Sequence, residues 1–227
     1  MATIQVNSII SRAATLIQDA TNVRWPLAEL IDWLNDGQRE IVLLKPQACV
    51  KNISVQLTAN STKQMLPADG IMLIDVLRNM GSTGSTPGVA IRVVTREVLD
   101  AQIPNWHSDA NKTGAISHFM FDARDPKNYY VYPKAPAEAA YVELIYSASP
   151  TNCAAGDVIQ IDDIYGNALL DYVLYRAYSK DADYAQNAQL AVAHYTAFSN
   201  SLGVKTQNEV AQNPNTVIGQ SSPNVAR

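Results

Sequence analysis

Trp25-Pro-Leu-Ala-Glu-Leu-Ile-Asp-Trp-Leu-Asn-Asp-Gly-Gln-Arg-Glu-Ile-Val-Leu-Leu-Lys-Pro46 is the stretch whose reading decides the architecture. Pro26 suits a first helical turn, where a missing N–H has no intrahelical partner, and Pro46 ends the run. Between them Leu27, Leu30, Ile31, Leu34 and Ile41 recur at helical spacing, with Glu29, Asp32, Asn35, Asp36 and Arg39 on the other side. An amphipathic helix cannot bury its stripe alone. The other strong helical patterns lie at the start and near the end of the chain, so the spacing predicts a discontinuous helical domain.

Working outward toward the N-terminus, Thr3 is a candidate cap for a helix in which Val6, Ile9, Ile10, Ala13, Leu16, Ile17 and Ala20 form one face. The short link Thr21 to Arg24 predicts an antiparallel hairpin with the second helix. Beyond Pro46 the period changes from 3.6 to 2. Ile53, Val55 and Leu57 alternate with polar residues as in a half-buried strand, and strand-like runs follow at 63–66, 71–80, 89–94, 116–121, 129–132 and 141–146. Residues 81–88 read as an exposed loop too rich in Gly and Ser to hold one conformation, with Gly84 and Pro87 near its tip. Residues 95–102 suit a short helix, and 105–114 a polar loop carrying Trp106 and His107. From Asp162 or Asp163, plausible caps, a helix runs to Lys180 that is apolar on nearly every side, with Ile164 and Tyr172 on one face; such a helix is central in a bundle or buried between subunits. Tyr184, Ala188, Ala191, Tyr195, Phe198 and Leu202 then form a heptad-like stripe, and Gly203 is a natural stop. Residues 204–227 lack periodicity and read as a tail.

The fold class expected is α+β: an antiparallel helical bundle from residues 1–47 and 157–203, an inserted small antiparallel β domain at 48–156, and an extended C-terminal arm at 204–227. Composition bounds the function. A hydrophobic content of 47% supports a full core, and a net charge of −4 with a pI near 5.3 disfavours tight DNA binding by counterion release. Cys49 and Cys153 are spaced for neither a zinc site nor a disulfide framework, which favours a reduced compartment. No signal-peptide pattern opens the chain, and no run approaches a membrane span.

Motifs for chemistry are lacking. There is no GxSxG, HExxH or GxxxxGK[ST] pattern. His107, His118 and His194 lie in unrelated segments. The pairs Asp162/Asp163, Asp122/Asp125 and Asp181/Asp183 could ligate a hard cation or act in glycoside hydrolysis, but caps and turns explain them better. No catalytic residue, metal or cofactor is expected. Tyr129, Tyr130, Tyr132, Tyr141 and Tyr146 cluster in the later strands, where they suit either a surface that binds sugar or a protein partner or, the better explanation, cross-strand pairing and ordinary core. The acidic side of the second helix, with Glu29, Asp32, Asp36 and Glu40, is by default a solvated face.

Tyr172-Val-Leu-Tyr-Arg-Ala-Tyr-Ser-Lys-Asp-Ala-Asp-Tyr184, with Asp162-Asp-Ile-Tyr165 before it and Phe198 to Gly203 after it, resembles the head-to-tail adaptors of tailed bacteriophages. So does Leu34-Asn-Asp-Gly-Gln-Arg-Glu-Ile41. Together they are similar to the tail tubular protein A-like adaptors. The resemblance implies a non-enzymatic virion protein, assembled in the host cytoplasm, that forms a ring of twelve copies between portal and tail tube or nozzle and extends the channel for DNA. It also implies roles by residue: Pro214, Val217 and Ile218 of the C-terminal arm on the portal, and Tyr172, Tyr195 and Phe198 in subunit contacts or bundle core. Gly84, Pro87, Trp106 and His107 would lie in loops facing the tail. Passing DNA would be contacted only weakly, and no membrane is involved. The alternative is a carbohydrate-binding or hydrolytic tail component using the Tyr-rich strands.

Overall fold

The computed structural model describes residues 2–108, 114–181 and 185–212. The chain is α+β and divides into two compact units, one made from its two ends, up to Lys45 and from Thr151 on, the other from Pro46–Pro150.

In the first unit α1 (Val6–Leu16), α2 (Leu27–Leu44), α4 (Gly166–Lys180) and α5 (Ala185–Gln212) pack together, with α4 against each of the other three. The middle position of α4 follows from its composition: Ala168, Leu169, Leu170, Tyr172, Val173, Leu174 and Ala177 are all buried. Ile164, expected on its buried face, instead precedes the helix in a 3-10 turn and is 64% exposed. α2 packs tightly on α4 at Gly37, where an added Cβ would lie 2.8 Å from the Tyr172 ring and 3.2 Å from Leu169.

The N-terminus of α1 is capped differently from expectation. Gln5 occupies the cap position without a side-chain bond, and the orphan N–H groups of Val6 and Asn7 donate to the carbonyls of Asp157 and Ala155. Thr3 turns away, its N–H and hydroxyl both donating to the Asp163 carboxylate at 2.7 and 2.6 Å. Leu16, assigned to the buried face, lies at the frayed end and is half exposed. Between α1 and α2 the Asp19 carboxylate accepts the N–H groups of Val23, Arg24 and Trp25, each at 2.9 Å. That closes the turn and holds the carboxyl below its ordinary pKa, the Trp25 bond contributing most.

Gly203 does not end α5, which continues to Gln212. Its φ is not in the left-handed region that makes glycine a stop, and a helix-interior glycine costs only about 1 kcal/mol relative to alanine.

The second unit holds two sheets. One has the order β1 (Val50–Gln56), β7 (Tyr141–Ala148), β3 (Gly70–Asn79), all antiparallel; the other runs β2 (Lys63–Met65), β6 (Asn128–Tyr132), β5 (His118–Phe121), β4 (Arg92–Val93). Within this antiparallel domain the short last pair is parallel, because the short helix α3 (Arg96–Gln102) carries the chain back between them. β1 is not half buried: it is an edge strand, and Ile53 is 41% exposed despite its alternating pattern. The loop at 81–88 is held in place. Gly88 N–H donates to Asn79 O at 2.7 Å, Tyr141 N–H to Gly81 O at 3.0 Å, and Gly84, at φ +77°, lies over the Tyr141 ring, where an added Cβ would come to 2.9 Å from it.

Candidate functional site

The residues assigned to subunit contact or core fall into one aromatic cluster. Tyr172 on α4 and Phe198 on α5 are buried with ring centroids 5.3 Å apart; Tyr175, 5.7 Å from Tyr172, and Tyr195, 5.0 Å from Tyr175 and 6.1 Å from Phe198, extend the cluster outward. Burial raises the Tyr172 phenol above its ordinary pKa. Tyr195 is 41% exposed, so Tyr172 and Phe198 are core while Tyr195 stands at its rim. The helical spacing of 191, 195, 198 and 202 places these residues together, but the α4 side of the contact decides which are covered.

A second construction was not legible beforehand. Asn35 and Gln38 of α2 are buried, and both address the segment leading from the second unit into α4. Asn35 Nδ2 donates to Cys153 O at 3.1 Å while its Oδ1 accepts Cys153 N–H at 2.9 Å; Gln38 Oε1 accepts Gln160 N–H at 2.6 Å. The same segment supplies the carbonyls that cap α1. Sequence reading placed Asn35 on the polar face. The available signal was two amides three residues apart at the margin of an apolar stripe, which show use only when a backbone lies opposite.

The four residues assigned to tail-facing loops separate. Gly84 is partly covered and Pro87 is exposed. Trp106 is the correction: it is 1% exposed, packs with Leu99, Met120 and Tyr132, and donates Nε1–H to Asp100 at 2.7 Å. An indole in a polar-looking loop is large enough to be drawn under α3. His107 remains exposed, stacked 3.4 Å from Trp106 and hydrogen-bonded to Thr62. Pro214, Val217 and Ile218 lie outside the described residues.

The chemical candidates each have local partners. His194 bonds Asp171 and stacks on Tyr178, and His118 stacks on Tyr132. Asp162 accepts Ile164 N–H as a cap, Asp163 holds Thr3 and Ile4, and Asp181 pairs with Arg24. Arg124 holds Asp122 at a pKa of about 2, while Asp125 accepts the Asn128 amide. Asp183 lies outside the described residues. Of the clustered tyrosines, Tyr129, Tyr132 and Tyr146 are core; Tyr130 lines a cleft with Arg96, Phe121, Asp122, Asp125 and Asn128. Among the described residues no group of three His, Cys, Asp or Glu is placed to hold a metal, and no helix is long and apolar enough to cross a membrane.

A comparison with curated proteins returned no match. The family model described as SU10 adaptor protein matches residues 4–218, a span that takes in both helical ends and the inserted strands. The chain therefore belongs to the SU10 adaptor protein family and is a structural component of a phage particle.

Proposed function

We propose that copies of this chain assemble into a ring that joins the portal to the tail and extends the DNA channel. The observation that carries this reading is the family match over residues 4–218. Charge supports it: residues 1–45 and 151–227 hold eight Lys and Arg against twelve Asp and Glu, whereas 46–150 hold nine of each. An acidic helical unit lining a channel repels phosphate and lets DNA pass without sticking. Tyr195, half exposed beside the buried Phe198, is assigned to the contact with the next subunit. Gly84, Pro87 and His107 are assigned to the tail-facing side, and Pro214, Val217 and Ile218 to the portal. Twelve copies match the usual symmetry that the resemblance implies.

Mixing the purified chain with purified portal and measuring particle mass tests the reading. A portal-bound ring is the expected outcome, and a variant ending after Gln212 should keep its helicity and melting temperature while losing that binding. No mass gain on the portal with the full chain would overturn the assignment; full binding by the shortened chain would move the grip elsewhere.

A further inference from the structure

Among the described residues β1 has no strand on its side away from β7, and the phase of the ladder decides which backbone groups are left. Ala148 N–H donates to Cys49 O and Leu57 N–H to Ala140 O, both at 2.8 Å. With the unbroken β1–β7 register between them, the odd-numbered residues of β1 exchange bonds with β7. The N–H and C=O groups of Val50, Asn52, Ser54 and Gln56 therefore point outward, and no described residue pairs with them. A row of alternating donors and acceptors at this spacing fits another extended strand.

The devices that blunt an edge are missing from β1. It has no Pro, Gly or bulge, and its lysine is neutralised, Lys51 Nζ lying 2.6 Å from Asp69. The other described edges are shorter, or bulged and partly closed. β2 has three residues and β4 two, while β3 carries three register shifts against β7 and bonds outward at Leu77 and Asn79 to Gly88, Val89 and Ile91.

We propose that β1 pairs antiparallel with β1 of a second copy of this chain, about a twofold axis through Ile53. In that register Val50 faces Gln56 of the other copy and Asn52 faces Ser54, so the outward-pointing residues satisfy one another. Lys51 faces Val55 rather than a second lysine, so no like charges oppose. The apolar surface matches as well. Val55, Ile53 and Lys51 lie beside Val142, Leu144 and Tyr146, which are buried, and Ile53 at 41% exposure is the uncovered margin of that face. Pairing sets it against its own counterpart. Such a contact closes with two copies, so it is distinct from the ring contacts proposed above and does not rest on them. One added strand is small against the roughly 1,200 Å² of a stable interface, so the pair forms as concentration rises.

Sedimentation velocity on the full chain over a wide concentration range reads the pairing as a rise from one-chain toward two-chain mass. Ser54→Pro removes an N–H that β7 does not use, at an edge position where proline is tolerated, and should hold the protein at one-chain mass with an unchanged circular dichroism spectrum. Ile53→Lys and Ile53→Glu should each abolish pairing alone and restore it when mixed, a readout that survives if the proline variant fails to fold. One-chain mass for the parent throughout would overturn the proposal. So would a two-copy species indifferent to Ser54→Pro, or charge variants that do not pair when mixed.

Discussion

Asn35 uses both ends of its amide on one backbone residue, Cys153, in a place closed to water. Removing it strands a buried N–H and a buried C=O, so Asn35→Ala should cost roughly 1 to 3 kcal/mol in urea unfolding. A loss within error of zero would mean that water replaces the amide and the clasp contributes nothing. Asp19 and Asp163 act on ionised oxygens instead. Asp19 is held below the ordinary 3.8 by the N–H of Trp25 first, then those of Val23 and Arg24; Asp163 by the Thr3 hydroxyl first, then the N–H groups of Thr3 and Ile4. A carboxyl with a depressed folded-state pKa adds stability that is complete above its unfolded value and lost as pH falls through the folded one. Both contributions are full at neutral pH and fade below about pH 4. Asp19→Asn should therefore lower stability at pH 7 and flatten its fall in acid; an unchanged acid profile would remove Asp19 from the account.

At the scale of elements, Gly203 separates two readings of α5. A glycine that stops a helix in the left-handed region resists replacement, whereas one inside a helix with no atom within 4 Å of an added Cβ gains from it. Gly203→Ala should accordingly stabilise the protein by roughly 0.5 to 1 kcal/mol and raise helical ellipticity. Destabilisation would restore the stop. The helices were legible because their own spacing carries the information: the buried face of α1 is largely the one the 3.6-residue period marks, Leu30, Leu34 and Ile41 of the α2 stripe are buried although Leu27 is exposed, and the all-round apolar character of α4 announced its middle position. β1 was misread because alternation reports burial only when a second layer covers the strand, and its position at the sheet edge is set by β7, some ninety residues away. Trp106 and the Asn35–Gln38 pair were missed for a related reason, their roles being fixed by α3 and by residues 153–160, which no local pattern brings to them.

Over the whole molecule, the chain leaves the helical unit after Lys45 and returns at Thr151. Arg39 bonds Asn152 and Asn35 bonds Cys153, so the returning strand of chain lies along α2, whose last turn is the point of departure. A Gly-Ser linker of about six residues, reaching roughly 20 Å, should then replace 46–150 and leave a cooperatively melting helical protein. A molten spectrum without a transition would show that the inserted strands are needed for the ends to find each other. The same clasp has a mechanical meaning. Both leads of the inserted unit are fastened to one helix, so a pull on that unit reaches α2 twice, through its own C-terminus and through the Asn35 and Gln38 amides. Neither α1 nor α4 lies first in line for the tension. Load arriving along the chain is thereby shared among several hydrogen bonds of a single helix before it passes to the rest of the helical unit.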